Sequence, residues 1–216
     1  MKKIPCNESF FSENNENSFY WAGFLAADGN IYKGSLSLSQ NDRTIISNFI
    51  YDIGSEKRTI SEKPYFNRKE GVVKVQHSVS IRSKKLIEDL GRFSIVENKR
   101  HSLVFPEWML DNELARHYVR GYFDGDGAVF KTKGGPRLEF TGTFKFLTGI
   151  REILSRDIKF RSNVRKISKN KPTSRLVFTG SKIALKVGKW MWDDSHIFME
   201  RKFKKFLTIT QNQGIL

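Results

Sequence analysis

The sequence predicts an α+β fold made of two copies of a helix–hairpin–helix–hairpin–helix unit. The first reason is an internal repeat: AGFLAADGNIYK at 22–33 aligns without gaps with RGYFDGDGAVFK at 120–131, at an offset of 98 residues. The second reason is that each repeat is followed by short β-branched and aromatic runs that alternate with helical periodicity. Both copies should therefore share one element order.

In the first copy, FYWAGFLAA is predicted to form a buried helix capped by Asn17 or Ser18. A hairpin from NIYK and SLSLSQ comes next, followed by a helix in RTIISNFIYDIG. KRTISEK and VVKVQHSVSIR indicate a second hairpin, and Ser83 should cap the closing helix.

The second copy repeats this order, with Asn112 as the predicted cap of ELARHYVRGYFDG. Its hairpins are expected in AVFK with RLEFTGT and in FRSNVRKIS with SRLVFTG, and KFLTGIREIL indicates the helix between them. Ser181 should cap the closing helix, because Val79, Ser83 and Lys84 match Val177, Ser181 and Lys182 at the same offset of 98. HIFMERKFKKF predicts a basic terminal helix.

These patterns divide the chain into five segments. They are an N-terminal tail (1–16), the first unit (17–91), a linker (92–111), the second unit with the basic helix (112–207) and a C-terminal tail (208–216).

The charge balance points to a polyanionic partner. Lys and Arg number 38 against 23 Asp and Glu, which gives a net charge of +15. The excess is uneven, since residues 1–108 carry +3 and residues 109–216 carry +12. The second half should bind a polyanion more strongly.

Other features exclude several classes of protein. The single Cys6 and four scattered histidines have no zinc-ligand spacing, which excludes a structural zinc site on spacing. No signal-like segment or long apolar stretch occurs, so we expect a soluble intracellular protein with no membrane partner, in a bacterial or phage cytoplasm or an organelle.

The two repeated helices are predicted to bring a pair of carboxylates together. Small residues four apart, Gly23 with Ala27 and Gly121 with Gly125, give each helix a face that allows close crossing. The crossing would join the two Asp-Gly ends, Asp28-Gly29 and Asp126-Gly127, with each glycine expected as a positive-φ cap. Paired carboxylates repel each other. Their oxygens are hard ligands that favour Mg²⁺, which would take its remaining ligands from water and phosphate.

At these residues the sequence resembles the LAGLIDADG homing endonucleases, specifically the single-chain, two-motif members. AGFLAADG and RGYFDGDG are similar to the two motifs, and WMWDDSHIFMERKFKKF is similar to the ending of many members. The resemblance covers about residues 18–206. It implies a pseudo-twofold fold packed through the motif helices, in which each half contributes a four-stranded antiparallel saddle to the DNA major groove.

The resemblance also implies site residues. Asp28 and Asp126 would bind the divalent metal, with Gly29 and Gly127 beside them, and Gln40 would order water, while its partner Gly142 could not. Lys84 and Lys182 would lie near the scissile phosphates. Ala26 replaces a common acidic residue that the second copy keeps as Asp124, and we expect this change to leave activity intact.

The groove-facing residues are predicted on or beside the strands. They are Lys33, Arg58, Lys74, Gln76, Lys131, Arg137, Arg165 and Arg175. The favoured function is a monomeric, Mg²⁺-dependent, site-specific double-strand DNA endonuclease acting in homing, for example of an intron. Mn²⁺ should substitute, and Ca²⁺ should support binding without cleavage. The alternative is a non-cleaving nucleic-acid binder on the same scaffold, either an RNA splicing cofactor (maturase) or a transcription regulator.

Overall fold

The computed structural model describes residues 4–168 and 172–212, and it has the predicted α+β architecture. The first unit consists of α1 (Glu16–Asp28), β1 (Gly29–Tyr32), β2 (Ser35–Gln40), α2 (Arg43–Asp52), β3 (Ser61–Asn67), β4 (Val72–Ile81) and α3 (Lys84–Leu90). The second consists of α4 (Ala115–Asp126), β5 (Gly127–Thr132), β6 (Gly135–Thr143), α5 (Phe144–Asp157), β7 (Arg165–Lys166), β8 (Thr173–Thr179) and α6 (Ser181–Trp192). The helix α7 (Glu200–Gln211) follows.

Each unit holds one four-stranded antiparallel sheet, with strand order β1-β2-β4-β3 in the first and β5-β6-β8-β7 in the second. Side chains alternate between the two faces of each sheet. Leu38 and Val79 are paired on the buried face of the first sheet, and Phe140 and Leu176 are paired on that of the second. The opposite face of each sheet is open.

The register corrects the predicted repeat in one place. Leu38 and Phe140 are equivalent, and their partners are Val79 and Leu176, so Val79 does not correspond to Val177. A shift of one residue moves a side chain to the other face, and Val177 accordingly lies on the open face. The sequence match paired two valines without regard to which face each occupies.

Three predicted helix caps also differ. The cap of α1 is Asn15, whose side chain accepts from the Ser18 N–H at 2.9 Å while the Ser18 hydroxyl faces the Asn15 N–H. Asn112 accepts instead from the N–H of Leu114, before α4 begins. Gly180, with a φ of 95°, precedes α6, so Ser181 is its first residue, whereas Ser83 caps α3 as predicted.

The linker and the described residues near each terminus are packed parts of the fold. Phe93 and Phe105 of the linker and Phe10 near the N-terminus are buried, and α7 ends four residues beyond the predicted boundary at 207. In the described part of the chain, each helix is too short or too polar to cross a membrane.

Candidate active site

The motif helices α1 and α4 cross in backbone contact. A Cβ atom at Gly23 would lie 1.9 Å from the Tyr118 carbonyl oxygen, and one at Gly121 would lie 1.9 Å from the Tyr20 carbonyl oxygen. The two glycines therefore play equivalent parts in a symmetric crossing. Near the C-terminal ends of the two helices, a Cβ at Gly125 would lie 3.2 Å from Oδ2 of Asp28, which shows that the last turns approach each other.

The glycines after the motif aspartates have a different role from the predicted one. Gly29 and Gly127 have φ of −72° and −88°, so neither adopts the left-handed cap conformation. A Cβ would instead lie 2.7 Å from the Leu25 carbonyl oxygen at Gly29 and 2.4 Å from the Phe123 carbonyl oxygen at Gly127. Glycine is needed there because each strand starts tightly against the preceding helix.

Asp28 and Asp126 end the two helices at one site and differ in their environment. Burial raises the pKa of both carboxyls, and the charge of Asp28 helps to raise that of Asp126 to about 6. Gln40 donates to Oδ2 of Asp28 at 2.6 Å, which opposes the rise at Asp28. Among the described residues, Asp126 has no such side-chain donor, and it lines the pocket between the two units.

Two lysines that the sequence analysis missed lie against these helix ends. Lys202 of α7 donates to the carbonyl oxygens of Phe123 at 2.7 Å and Asp124 at 2.6 Å. Lys99 of the linker lies 3.4 Å from the Ala27 carbonyl oxygen. Burial lowers the pKa of both ammonium groups, that of Lys202 to about 8.

Both lysines act on the motif carboxylates, since their charges lower the pKa of Asp28 and of Asp126. A signal for Lys202 existed in the sequence. It shares a buried helical stripe with Met199, Phe206 and Ile209. A lysine is rare at such a position unless it has a polar partner. Lys99 has no equivalent in a repeat and could not be found that way.

The predicted lysines Lys84 and Lys182 are more distant from this chemistry. They lie in the first turns of α3 and α6, and both are exposed. Lys84 is 90% exposed and pairs with Glu88 at 3.5 Å. Neither lysine is among the charges that shift the pKa of Asp28 or Asp126. Their approach to a phosphate remains a prediction.

The position equivalent to Gln40 is filled differently in the second copy. A Cβ at Gly142 would lie 2.4 Å from the Tyr122 hydroxyl oxygen, and that hydroxyl donates to the Thr141 carbonyl at 2.7 Å. Any larger side chain at position 142 would therefore overlap the Tyr122 hydroxyl group. The site is asymmetric, because within the described residues a glutamine donates to Asp28 but none donates to Asp126.

The residues present suit a divalent cation that takes part of its ligands from elsewhere. Burial raises the pKa of both carboxyls and the charge of Asp28 raises that of Asp126 further, and a dication would relieve this repulsion. Within 4–168 and 172–212, no group of three or more His, Cys, Asp or Glu side chains is arranged to hold a metal. The remaining ligands would therefore be water and phosphate oxygens.

The C-terminal segment, from Ile197 through α7, is bound to the motif helices by buried polar contacts. Oδ2 of Asp124 accepts from the Met199 N–H at 2.6 Å and from the Tyr20 hydroxyl at 3.0 Å. Arg120 is fully buried and donates to Glu16 at 2.6 Å and to the Ile197 carbonyl at 2.8 Å. These contacts fix the start of α7 and so hold Lys202 in place. Asp124 therefore has a structural role.

The open faces of the two sheets differ in chemistry. The first exposes Asn30, Tyr32, Ser35, Ser37, Ser39, Ser61, Lys63, Tyr65, Lys74, Gln76, Ser78 and Ser80. The second exposes Ala128, Phe130, Arg137, Glu139, Thr141, Arg165, Arg175, Val177 and Thr179. Five predicted groove residues lie on these faces: Lys74, Gln76, Arg137, Arg165 and Arg175.

The other three predicted groove residues lie elsewhere. Lys33 is in the turn after β1, with a φ of 47°. Arg58 precedes β3 and donates to the Ser80 carbonyl at 2.9 Å and the Ile4 carbonyl at 3.2 Å, so it ties the N-terminal segment to the sheet. Lys131 lies on the opposite face of β5 from Phe130, because strand side chains alternate.

Comparison with known proteins supports the resemblance. Residues 113–189 match the family model of the LAGLIDADG-like domain. A search of curated proteins found no significant match. The homing endonuclease I-WcaI, bound to its DNA recognition sequence, has a similar structure with a TM-score of 0.64 and 14% identity, over 95% of this chain and 88% of that chain.

Two further structures are similar. Full-length DUF199/WhiA from Thermatoga maritima has a TM-score of 0.57 and 13% identity, over 96% of this chain and 65% of that chain. I-SmaMI, bound to an uncleaved DNA target in the presence of calcium ions, has a TM-score of 0.55 and 13% identity, over 94% of this chain and 93% of that chain.

The fold is therefore that of the LAGLIDADG proteins, with both motif helices and both saddles in one chain. Together with the domain match in the second half, it supports the predicted resemblance to the two-motif LAGLIDADG proteins.

Proposed function

We propose that this protein is a monomeric, site-specific double-strand DNA endonuclease that uses a divalent metal ion. The observation that carries the proposal is the meeting of Asp28 and Asp126 at the helix crossing, beside two lysines and between two open sheets. The fold is shared with I-WcaI and I-SmaMI, whose structures contain DNA. A single chain already supplies both motif helices, so no second subunit is needed.

The side chains of the site have separable tasks in this proposal. A bound Mg²⁺ would activate water and stabilise the leaving oxygen of the phosphodiester. Asp28 and Asp126 would hold it, and Gln40 would orient Asp28 through their hydrogen bond. Lys99 and Lys202 would place positive charge beside the scissile phosphates. Mn²⁺ should replace Mg²⁺, and Ca²⁺ should support binding without cleavage.

Binding would depend mainly on phosphate contacts. The net charge of +15 supports a steep dependence on salt. If six to ten phosphates are neutralised, affinity should fall roughly 10³- to 10⁵-fold between about 50 and 200 mM salt. Side chains of the open sheet faces would then supply discrimination between bases.

A second candidate is a nucleic-acid binder that does not cleave, either a transcription regulator or an RNA splicing cofactor. The likeness to DUF199/WhiA favours it, because the fold is not confined to proteins named as endonucleases. Against a pure regulator stands the pair of aspartates, which repel each other and would oppose phosphate binding without a cation. An RNA splicing cofactor could keep both aspartates, so cleavage must be measured.

The test compares Asp28→Asn and Asp126→Asn with a matched control, Asp193→Asn. All three remove one negative charge, and Asp193 is exposed just after α6, outside the site. For each variant we would measure cleavage of a genomic fragment library in Mg²⁺ by end mapping, binding in Ca²⁺, and thermal stability.

We expect both motif variants to lose cleavage, by roughly a hundredfold or more, while folding and binding persist. Asp193→Asn should cleave like the parent protein. Full cleavage by either motif variant would show that the metal site lies elsewhere. Binding without any cleavage by the parent protein in Mg²⁺ or Mn²⁺ would favour the non-cleaving candidate.

A further inference from the structure

Four arginines line a groove beside the open face of the second sheet. The groove has a volume of about 550 Å³ and lies between that face and the loop after α5. Its arginines are Arg137, Arg161, Arg165 and Arg175. They are four of the 22 basic residues in the second half of the chain.

The four arginines occupy two different settings. Arg137 and Arg175 project from β6 and β8, the two central strands of the sheet. Arg165 is on the edge strand β7, and Arg161 is on the loop that precedes it. If this sheet enters the major groove, we expect its central strands to lie nearest the base edges and its margins nearest the backbone.

Arg137 is held in a fixed orientation. Its guanidinium group lies 5.4 Å from the centre of the Phe130 ring and donates to the Glu139 carboxylate. Its Nε is buried without a hydrogen-bond partner among the described residues. A guanidinium supported in this way loses little side-chain entropy when it forms a bidentate contact.

Arg175 lies directly opposite Arg165 across the β7–β8 pair. Like charges facing each other on adjacent strands destabilise a sheet. On its other side, Arg175 is paired with the uncharged Thr141. The arrangement therefore favours an electron-rich ligand that approaches from the open face.

The corresponding positions of the first sheet are short and neutral. Ser35 and Ser78 are equivalent to Arg137 and Arg175 in the strand registers, and the Ser35 hydroxyl is bonded to that of Ser80 at 2.7 Å. Lys74 on that face carries an ammonium group, which lacks the planar fork of a guanidinium. The first face thus lacks supported guanidinium groups on its central strands.

We propose that Arg137 and Arg175 read guanines in the half-site under the second sheet, whereas Arg161 and Arg165 bind phosphates. Guanine presents the O6 and N7 acceptors that match an arginine fork in the major groove. The half-site under the first sheet then lacks this guanine preference. The proposal rests on the proposed function in taking duplex DNA as the ligand, but it does not require cleavage.

The experiment selects bound sequences from a randomised duplex DNA pool in Ca²⁺. It compares the parent protein with Arg137→Gln and Arg175→Gln, and uses Arg161→Gln and Arg165→Gln as matched controls with the same loss of charge. Arg161, Arg165 and Arg175 are exposed, so their substitution should leave the fold intact. Thermal unfolding checks this for each variant.

We expect guanine enrichment in one half of the selected site. Arg137→Gln and Arg175→Gln should each lose about tenfold to a hundredfold of guanine preference at one position, with a shift towards adenine. The two controls should keep the selected sequence, bind it more weakly, and reduce the slope of log affinity against log salt by about one each.

Guanine enrichment that is equal in both halves, or that persists in both Arg137→Gln and Arg175→Gln, would overturn the proposal. If the selected duplex is cleaved in Mg²⁺ without these guanine effects, the endonuclease assignment stands and the reading of guanine is wrong. If the guanine effects occur without cleavage, the reading of guanine stands and the endonuclease assignment is wrong. Failure to retain any duplex would contradict both.

Discussion

The two motif helices occupy equivalent places in the fold but bury different chemistry. At three positions 98 residues apart, α1 has Phe19, Ala22 and Ala26 where α4 has His117, Arg120 and Asp124, and all six residues are buried. The apolar set packs in the core, whereas Arg120 and Asp124 bind the C-terminal segment that carries Lys202. The backbone crossing is thus symmetric, and the support of the site around it is not.

The largest expected effect concerns the part that the halves share. Gly23→Ala and Gly121→Ala should each cost more than about 3 kcal/mol of unfolding free energy, because the new methyl group would overlap a backbone carbonyl that cannot move away. Since the crossing is symmetric, the two losses should be similar. Urea unfolding measures both.

Gly91→Ala is the control for these variants. Gly91 has a φ of −56°, and a methyl group added there would have open space around it, with no non-neighbouring atom of the described residues within 4 Å. Its substitution should leave stability unchanged or raise it slightly. Very different losses at Gly23 and Gly121 would contradict the symmetric crossing.

A smaller effect should arise where the halves differ, at His117. Burial, with help from Arg120, lowers the pKa of His117 from 6.5 to about 4, so the folded protein keeps this imidazole neutral. As the pH falls below 6.5 the unfolded chain takes up a proton that the folded chain does not, and stability is lost until the pH reaches about 4. By pH 5 this contribution amounts to about 2 kcal/mol.

His117→Phe introduces the residue that the first copy has at the equivalent position. The variant should lose less stability than the parent protein between pH 7 and pH 5, and the difference between the two isolates His117 from the aspartates that titrate nearby. His101→Gln, at an exposed histidine, is the control. An acid response that is unchanged in His117→Phe would show that His117 does not contribute.

The sequence predicted the fold well because the pattern that specifies it is local and repeated. The motif repeat, the order of the hairpins and the Asp28–Asp126 pair were recognisable from the pattern, although β3 lies at Ser61–Asn67 and not in 57–63, and β7 is only Arg165–Lys166; the structure brings those aspartates together. Lys99 could not be predicted, since its position depends on how the linker packs against both units. The face of Lys131 was missed because a one-residue choice of register decides it.

The central claim is that two unequal copies build one site, and strand-resolved cleavage tests it most directly. The selected duplex, labelled differently on each strand, would be cut in Mg²⁺ under single-turnover conditions by the parent protein and by Gln40→Ala. We expect one strand to be cut first, so that a nicked intermediate accumulates. Gln40→Ala should slow one strand by about tenfold or more, since it removes the only side-chain hydrogen bond that the structure shows on Asp28 within the described residues. Equal rates for both strands in the parent protein, or equal slowing of both in Gln40→Ala, would contradict the claim.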